Sequence, residues 1–276
     1  MSEFTIGQYY PENSIIHRLD PRVKLFGTLV FIVMLFVVNN FIGFGLMALY
    51  LFVVVKMSRI PFRKVLKGVR GIIIILIISA LLNIFFTPGK HEVAHWWIFT
   101  ITSEGLVRSA YLVVRLILLV LSTSVMTLTT KPNDLSDGLE KALGFLKVIR
   151  VPVHEIAMIM SLALRFIPTL MEETERIKKA QMARGADFES GNMLKRAKSL
   201  IPILIPLFVS SIKRAVNLAQ AMEARCYNGG NRTKLHPLQY KKRDAMSYIF
   251  CGVIIASVIV VNVVVVKFLG NTFVVF

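Results

Sequence analysis

The chain has 276 residues, 55% of them apolar, and a formal net charge of +17. Its mean hydropathy is +0.65; soluble globular domains use roughly 45 to 50% apolar residues, so an ordinary water-soluble domain is excluded. The basic residues flank apolar runs, where anionic lipid headgroups account for them, so the charge does not point to nucleic acid.

The first 20 residues, "MSEFTIGQYYPENSIIHRLD", lack a basic start followed by an apolar core, so no cleaved signal is expected. From Leu25 to Val55 there is no charged residue. One helix of that length would be about 46 Å long against a hydrocarbon core near 30 Å. Asn39, Asn40, Gly43 and Gly45 supply turn residues near its middle, so two short spans joined by a tight hairpin are expected. Lys56 to Arg70 holds six basic residues and no acidic one, which predicts a cytoplasmic loop. Gly71 to Gly89 is the third apolar span.

Lys90 to Gly105, with Trp96 and Trp97, reads as an outer interfacial segment. Its "HEVAH" matches H-E-x-x-H, in which His91 and His95 would bind zinc and Glu92 would activate water, the mark of a membrane zinc metalloprotease. The preceding Thr-Pro-Gly and the following Trp pair argue against a stable helix there. No third ligand falls on the same side: His17, His154, His236 and Asp137 are all expected inside. Leu116 to Thr130 is the fourth span once Arg115 and Arg108 join it, and Ala245 to Val266 is the fifth.

The basic loops place the N-terminus and residues 131–244 in the cytoplasm and the C-terminus outside. Three regions follow: a membrane part of four spans over 1–130, a cytoplasmic region over 131–244, and the last span with its tail over 245–276. Cys226 and Cys251 are isolated and indicate neither a disulfide scaffold nor a metal site.

The cytoplasmic region opens on a short amphipathic helix with Leu135, Leu139, Leu143 and Leu146 on one face. Asp134, Asp137 and Glu140 read as its solvated acidic face rather than as metal ligands. A second helix is expected from Val153 to Arg184, kinked at Pro168 and stopped by Gly185. A third is expected from about Met193 through Pro202 and Pro206 to about Cys226, with Gly229 and Gly230 as its stop. Each is apolar in one half and charged in the other, which suits an element lying along the inner membrane interface. Small residues one turn apart, Ala157 with Ser161 and Ala215 with Ala219, let the two helices cross closely.

Both helices end on the same pattern: Ala183, Arg184, Gly185 and Ala224, Arg225, Cys226. An Arg between small residues leaves its planar fork uncovered for a carboxylate. Taken as single residues, the same arginines complement a helix dipole or bind headgroups.

"LRFIPTLMEETERIKKAQMARGAD", "AMEARCYNGGNRTKL" and "SIIHRLDPRVKLFG" together resemble the transmembrane T component of energy-coupling factor (ECF) transporters, the family that includes the cobalt transport protein CbiQ. The resemblance implies an all-α integral membrane protein of about five spans plus long amphipathic coupling helices. It implies that Arg184 and Arg225 dock into two ABC-type ATPase subunits, identical or a heterodimer. Ala183, Gly185, Ala224 and Cys226 would flank those contacts. ATP-driven motion would then pass to a membrane-embedded, substrate-binding S component, for uptake of vitamins or metal ions. Met158, Leu162, Phe166, Leu204 and Phe208 are the candidate platform for that component. No G-x-x-x-x-G-K-[ST] loop occurs, so ATP and Mg are expected on the partners and no cofactor on this chain, which is expected to be non-catalytic. The location implied is a bacterial or archaeal cell membrane.

Overall fold

The structure, a computed structural model, describes residues 9–38, 40–87, 92–96, 99–149, 152–188, 192–227 and 238–268. They fall into two compact units, one within Gly7–Ala142 and Leu238–Phe276, the other within Leu143–Pro237. The architecture is that of an all-α membrane protein, with one short two-stranded hairpin among the described residues.

In the first unit, α1 (Pro21–Val37) and α2 (Phe41–Ser58) form the expected hairpin. Asn40 caps α2: its side-chain oxygen accepts from the Gly43 amide at 2.7 Å. Its side-chain amide donates to Asn262 Oδ1, also at 2.7 Å, and Asn262 donates to the Val37 carbonyl, so the turn is tied to the last helix. Arg115 Nη2 donates to the Val38 carbonyl at 3.0 Å, which gives the span arginine an intramolecular task. Asn39 lies outside the described residues.

The expected cytoplasmic loop is largely helical. Pro61 precedes α3 (Phe62–Arg70), which leads through a 60° bend into α4 (Ile73–Phe86). Phe62, Val65, Leu66 and Val69 recur at helical spacing, and Pro61 suits a helix start because its missing N–H would lack an intrahelical partner there. Strands β1 (Glu92–Trp96) and β2 (Phe99–Thr102) pair antiparallel, with Trp96 opposite Phe99. Buried Thr102 then caps α5 (Ser103–Thr129), accepting from the Gly105 amide. The amphipathic helix of the sequence reading ends early: α6 (Pro132–Ala142) gives way to a 3₁₀ stretch, Leu143–Ile149. It packs on α1 through Gly138, where a Cβ would stand 3.0 Å from that of Pro21.

The last helix, here α10 (Lys242–Phe268), returns to this unit. Its Asp244 is buried and accepts from the Asp20 and Lys241 amides, joining the starts of α1 and α10. Leu35, Met47, Leu118, Val125 and Val258 fill the core among α1, α2, α5 and α10. Around it the apolar side chains point outward: Leu29, Leu49, Ile74, Ile78 and Ile249 are all exposed. In lipid such a bundle is held by close packing and internal hydrogen bonds rather than by the hydrophobic effect.

The second unit contains α7 (Val153–Ala183), α8 (Met193–Ser199) and α9 (Ile201–Ala224). The single helix expected from Met193 is broken at Leu200, two residues before Pro202, whereas Pro168 and Pro206 lie within unbroken helices. Length and composition alone qualify α2, α5, α7, Arg196–Ala224 and α10 as spans, with the bent α3–α4 pair as a sixth. This set differs from the five expected crossings. It omits α1, whose 17 residues reach about 25 Å, and includes α7 and α9.

Candidate functional site

Helices α7 and α9 run antiparallel against each other. Near the start of α7, Met158 Sδ accepts from the hydroxyl of Tyr227, just beyond the end of α9, at 3.1 Å. Midway, Phe166 and Leu170 face Ala215, Leu218, Ala219 and Met222 across a groove of about 240 Å³. Glu173 accepts from Ser210 Oγ and from Arg214 Nη2 at 2.6 Å, an ion pair beside the groove. Gln181 then donates to the Pro202 carbonyl, at the opposite end of α9. Ala215 and Ala219 are thus small residues at the contact, as their spacing predicts. Ser161 instead is exposed.

Both helices stop in the same way. After α7 the Gly185 amide donates to the Met182 carbonyl and the Ala186 amide to the Gln181 carbonyl, each at 3.0 Å. After α9 the Cys226 amide donates to the Glu223 carbonyl at 2.8 Å and the Tyr227 amide to the Met222 carbonyl at 3.0 Å. These are two Schellman motifs in the same register. The motif needs a left-handed residue after the cap, and Gly185 and Cys226 take it, with φ of 87° and 56°. The repeat in the sequence is therefore a repeated helix stop. Cys226 performs it where Gly229 and Gly230, outside the described residues, were expected to.

Ala183, Arg184, Gly185, Ala224, Arg225 and Cys226 are all exposed. No Cβ built on Gly185 would meet a heavy atom within 4 Å, so the backbone there is open to an approaching surface. Because Tyr227 lies beside Met158 and Gln181 beside Pro202, the two arginine tips stand at opposite ends of the pair. The helical rise between Met158 and Gln181 sets them about 35 Å apart.

The expected platform residues divide. Leu204 and Phe208 are exposed on α9. On α7, Phe166 lines the groove against α9, Met158 meets Tyr227, and Leu162 is half-buried. The exposed apolar surface of α7 is instead Ile156, Ile159, Met160 and Ile167. The Glu173–Arg214 pair was not anticipated, since a single sequence does not show which charges on two helices meet.

The zinc-site alternative loses its scaffold. Glu92 to Trp96 is a strand rather than a helix, so Glu92 and His95 lack the helical turn on which the motif depends. His91 itself lies outside the described residues. Among the described residues no three His, Cys, Asp or Glu side chains gather as a metal site.

Residues 12–236 match the family described as "Cobalt transport protein", CbiQ. The chain is 46% identical over 264 residues to the energy-coupling factor transporter transmembrane protein EcfT of Clostridium kluyveri, covering 95% of this chain and 97% of that one. The chain belongs to the EcfT/CbiQ family. It is also 48% identical over 257 residues to EcfT of Thermosediminibacter oceani, covering 92% and 96%, and 44% identical over 260 residues to EcfT of Bacillus subtilis, covering 94% and 98%. An EcfT chain is the transmembrane component of an ECF transporter, and the apolar helices agree with a multi-pass membrane protein. The family match spans both arginine tips and the whole α7–α9 pair.

Proposed function

We propose that this chain couples ATP hydrolysis by two ABC-type ATPase subunits, which carry the nucleotide and Mg, to movement of a membrane-embedded S component that binds the substrate. The observation that carries this reading is the pair of matched helix stops, each exposing one Arg, at opposite ends of α7 and α9. Arg184 and Arg225 each engage carboxylates in one ATPase through a bidentate, charge-assisted contact. Ala183, Gly185, Ala224 and Cys226 let the ATPase surface close on the backbone. The exposed apolar faces, Leu204 and Phe208 with Ile156 and Ile159, form the S-component platform. Helices α7 and α9 lie along the inner interface, with residues 131–244 and the N-terminus in the cytoplasm and the C-terminus outside. The cargo class is a vitamin, or a transition-metal ion as the family description suggests.

The test is Arg184→Glu and Arg225→Glu, singly and together, in the assembled transporter. Each single variant weakens ATPase retention on co-purification, and the double variant abolishes uptake while the chain still inserts in the membrane. Undiminished retention and normal uptake by the double variant would overturn the reading.

A further inference from the structure

Helix α3 divides into three sectors around its axis. Val65 is buried, and Gly68 lies so close to α5 that a Cβ would collide with the Ser124 hydroxyl. Next round the helix, Phe62 and Leu66 are apolar and exposed, 44% and 51%. Beyond them, Arg63, Lys67 and Arg70 share a sector and are all exposed; at 100° per residue they lie within about 60° of one another. The remaining cation, Lys64, is turned aside, its ammonium 3.8 Å from the Tyr10 ring centroid.

The apolar sector continues a lipid-facing surface. Phe62 stacks on Phe52 of α2, ring centroids 5.4 Å apart, and Phe52 is half-exposed on the outer side of that span. Past the 60° bend, Ile73, Ile74 and Ile77 carry the exposed apolar surface into α4. An amphipathic helix with its apolar sector level with acyl chains sets its cationic sector at the depth of the phosphates. Six cations and no acid stand between Lys56 and Arg70, so the charge complement of this face is anionic.

We infer that α3 is an interfacial helix that recruits anionic phospholipid of the adjoining leaflet, Arg63, Lys67 and Arg70 holding the phosphates while Phe62 and Leu66 sit among the acyl chains. Its packing on α5 holds it as a shelf at the foot of the bundle. Each such cation adds to the attraction for an anionic surface. Three cations acting together enrich anionic lipid strongly at this face and not around the remaining perimeter.

The test uses the full-length chain with Trp96→Phe and Trp97→Phe and a Phe62→Trp reporter, reconstituted in equimolar phosphatidylcholine and phosphatidylglycerol with one or the other brominated. The expected result is several-fold stronger quenching by the brominated phosphatidylglycerol, lost in the Arg63→Gln, Lys67→Gln, Arg70→Gln variant and kept in Arg63→Lys, Lys67→Arg, Arg70→Lys. Equal quenching by both lipids in the parent, or quenching by neither, overturns the inference. So does relief of quenching when the other transporter subunits are added, which would make the face a protein contact. No ATPase is needed for the measurement, so its result is independent of the docking test.

Discussion

Gly185 and Cys226 occupy the same place in two copies of one helix stop, both in the left-handed region, and only one of them is the residue that favours it. A side chain in that region costs roughly 1 kcal/mol. Cys226→Gly therefore raises the thermal midpoint of the purified chain, by the equivalent of about 1 kcal/mol, and Gly185→Ala lowers it by a similar amount. The two changes act at opposite ends of the α7–α9 pair, so the double variant returns close to the parent midpoint. A Cys226→Gly variant no more stable than the parent would show that the thiol side chain is compensated elsewhere.

Gly68 and Ser124 define how closely α3 seats on α5. Gly68→Ala places a methyl against the Ser124 hydroxyl and costs about 1 to 3 kcal/mol, as overpacking does. Ser124→Ala removes the colliding oxygen and recovers most of that loss in the double variant, read as the thermal midpoint in one fixed detergent. Absence of any recovery would mean that the strain falls elsewhere.

His17, ahead of α1, donates from Nε2 to the Tyr10 carbonyl at 3.0 Å and accepts at Nδ1 from Ser14 Oγ at 2.7 Å, a neutral-ring arrangement. Burial pushes its pKa below the ordinary 6.5, with Lys24 adding to the fall and the Tyr10 carbonyl and Glu12 opposing it. The folded chain thus binds this proton less readily than the unfolded chain. The stability contributed by neutral His17 is complete above about 6.5 and declines as pH falls through the lowered folded value. Thermal midpoints measured from neutral to mildly acid pH fall more steeply in the parent than in His17→Gln; parallel curves would contradict this.

Much of the helical plan was legible because its punctuation is strong. Asn40 marks the hairpin, and Pro152 with Gly185 bracket α7 within a residue of its observed limits. The arginine tips were legible as a repeated string. Their common geometry was not, since nothing in the residue type of Cys226 announces a left-handed backbone. Helix α3 was hidden by its charge, as four of the six cations that read as a loop belong to a helix whose apolar positions keep a period of 3.6. The inward turn of Met158 and Phe166 depends on where α9 packs, and a uniformly apolar half-helix leaves its buried side unspecified.

The antiparallel run of α7 and α9 makes their two ends interchangeable. A rotation of half a turn about an axis near the Glu173–Arg214 contact, each of these residues eleven positions before its helix's terminal arginine, carries each stop roughly onto its counterpart. One asymmetric chain so presents an approximate dyad, and a partner pair with twofold symmetry would meet the same handle twice without this chain having to dimerise.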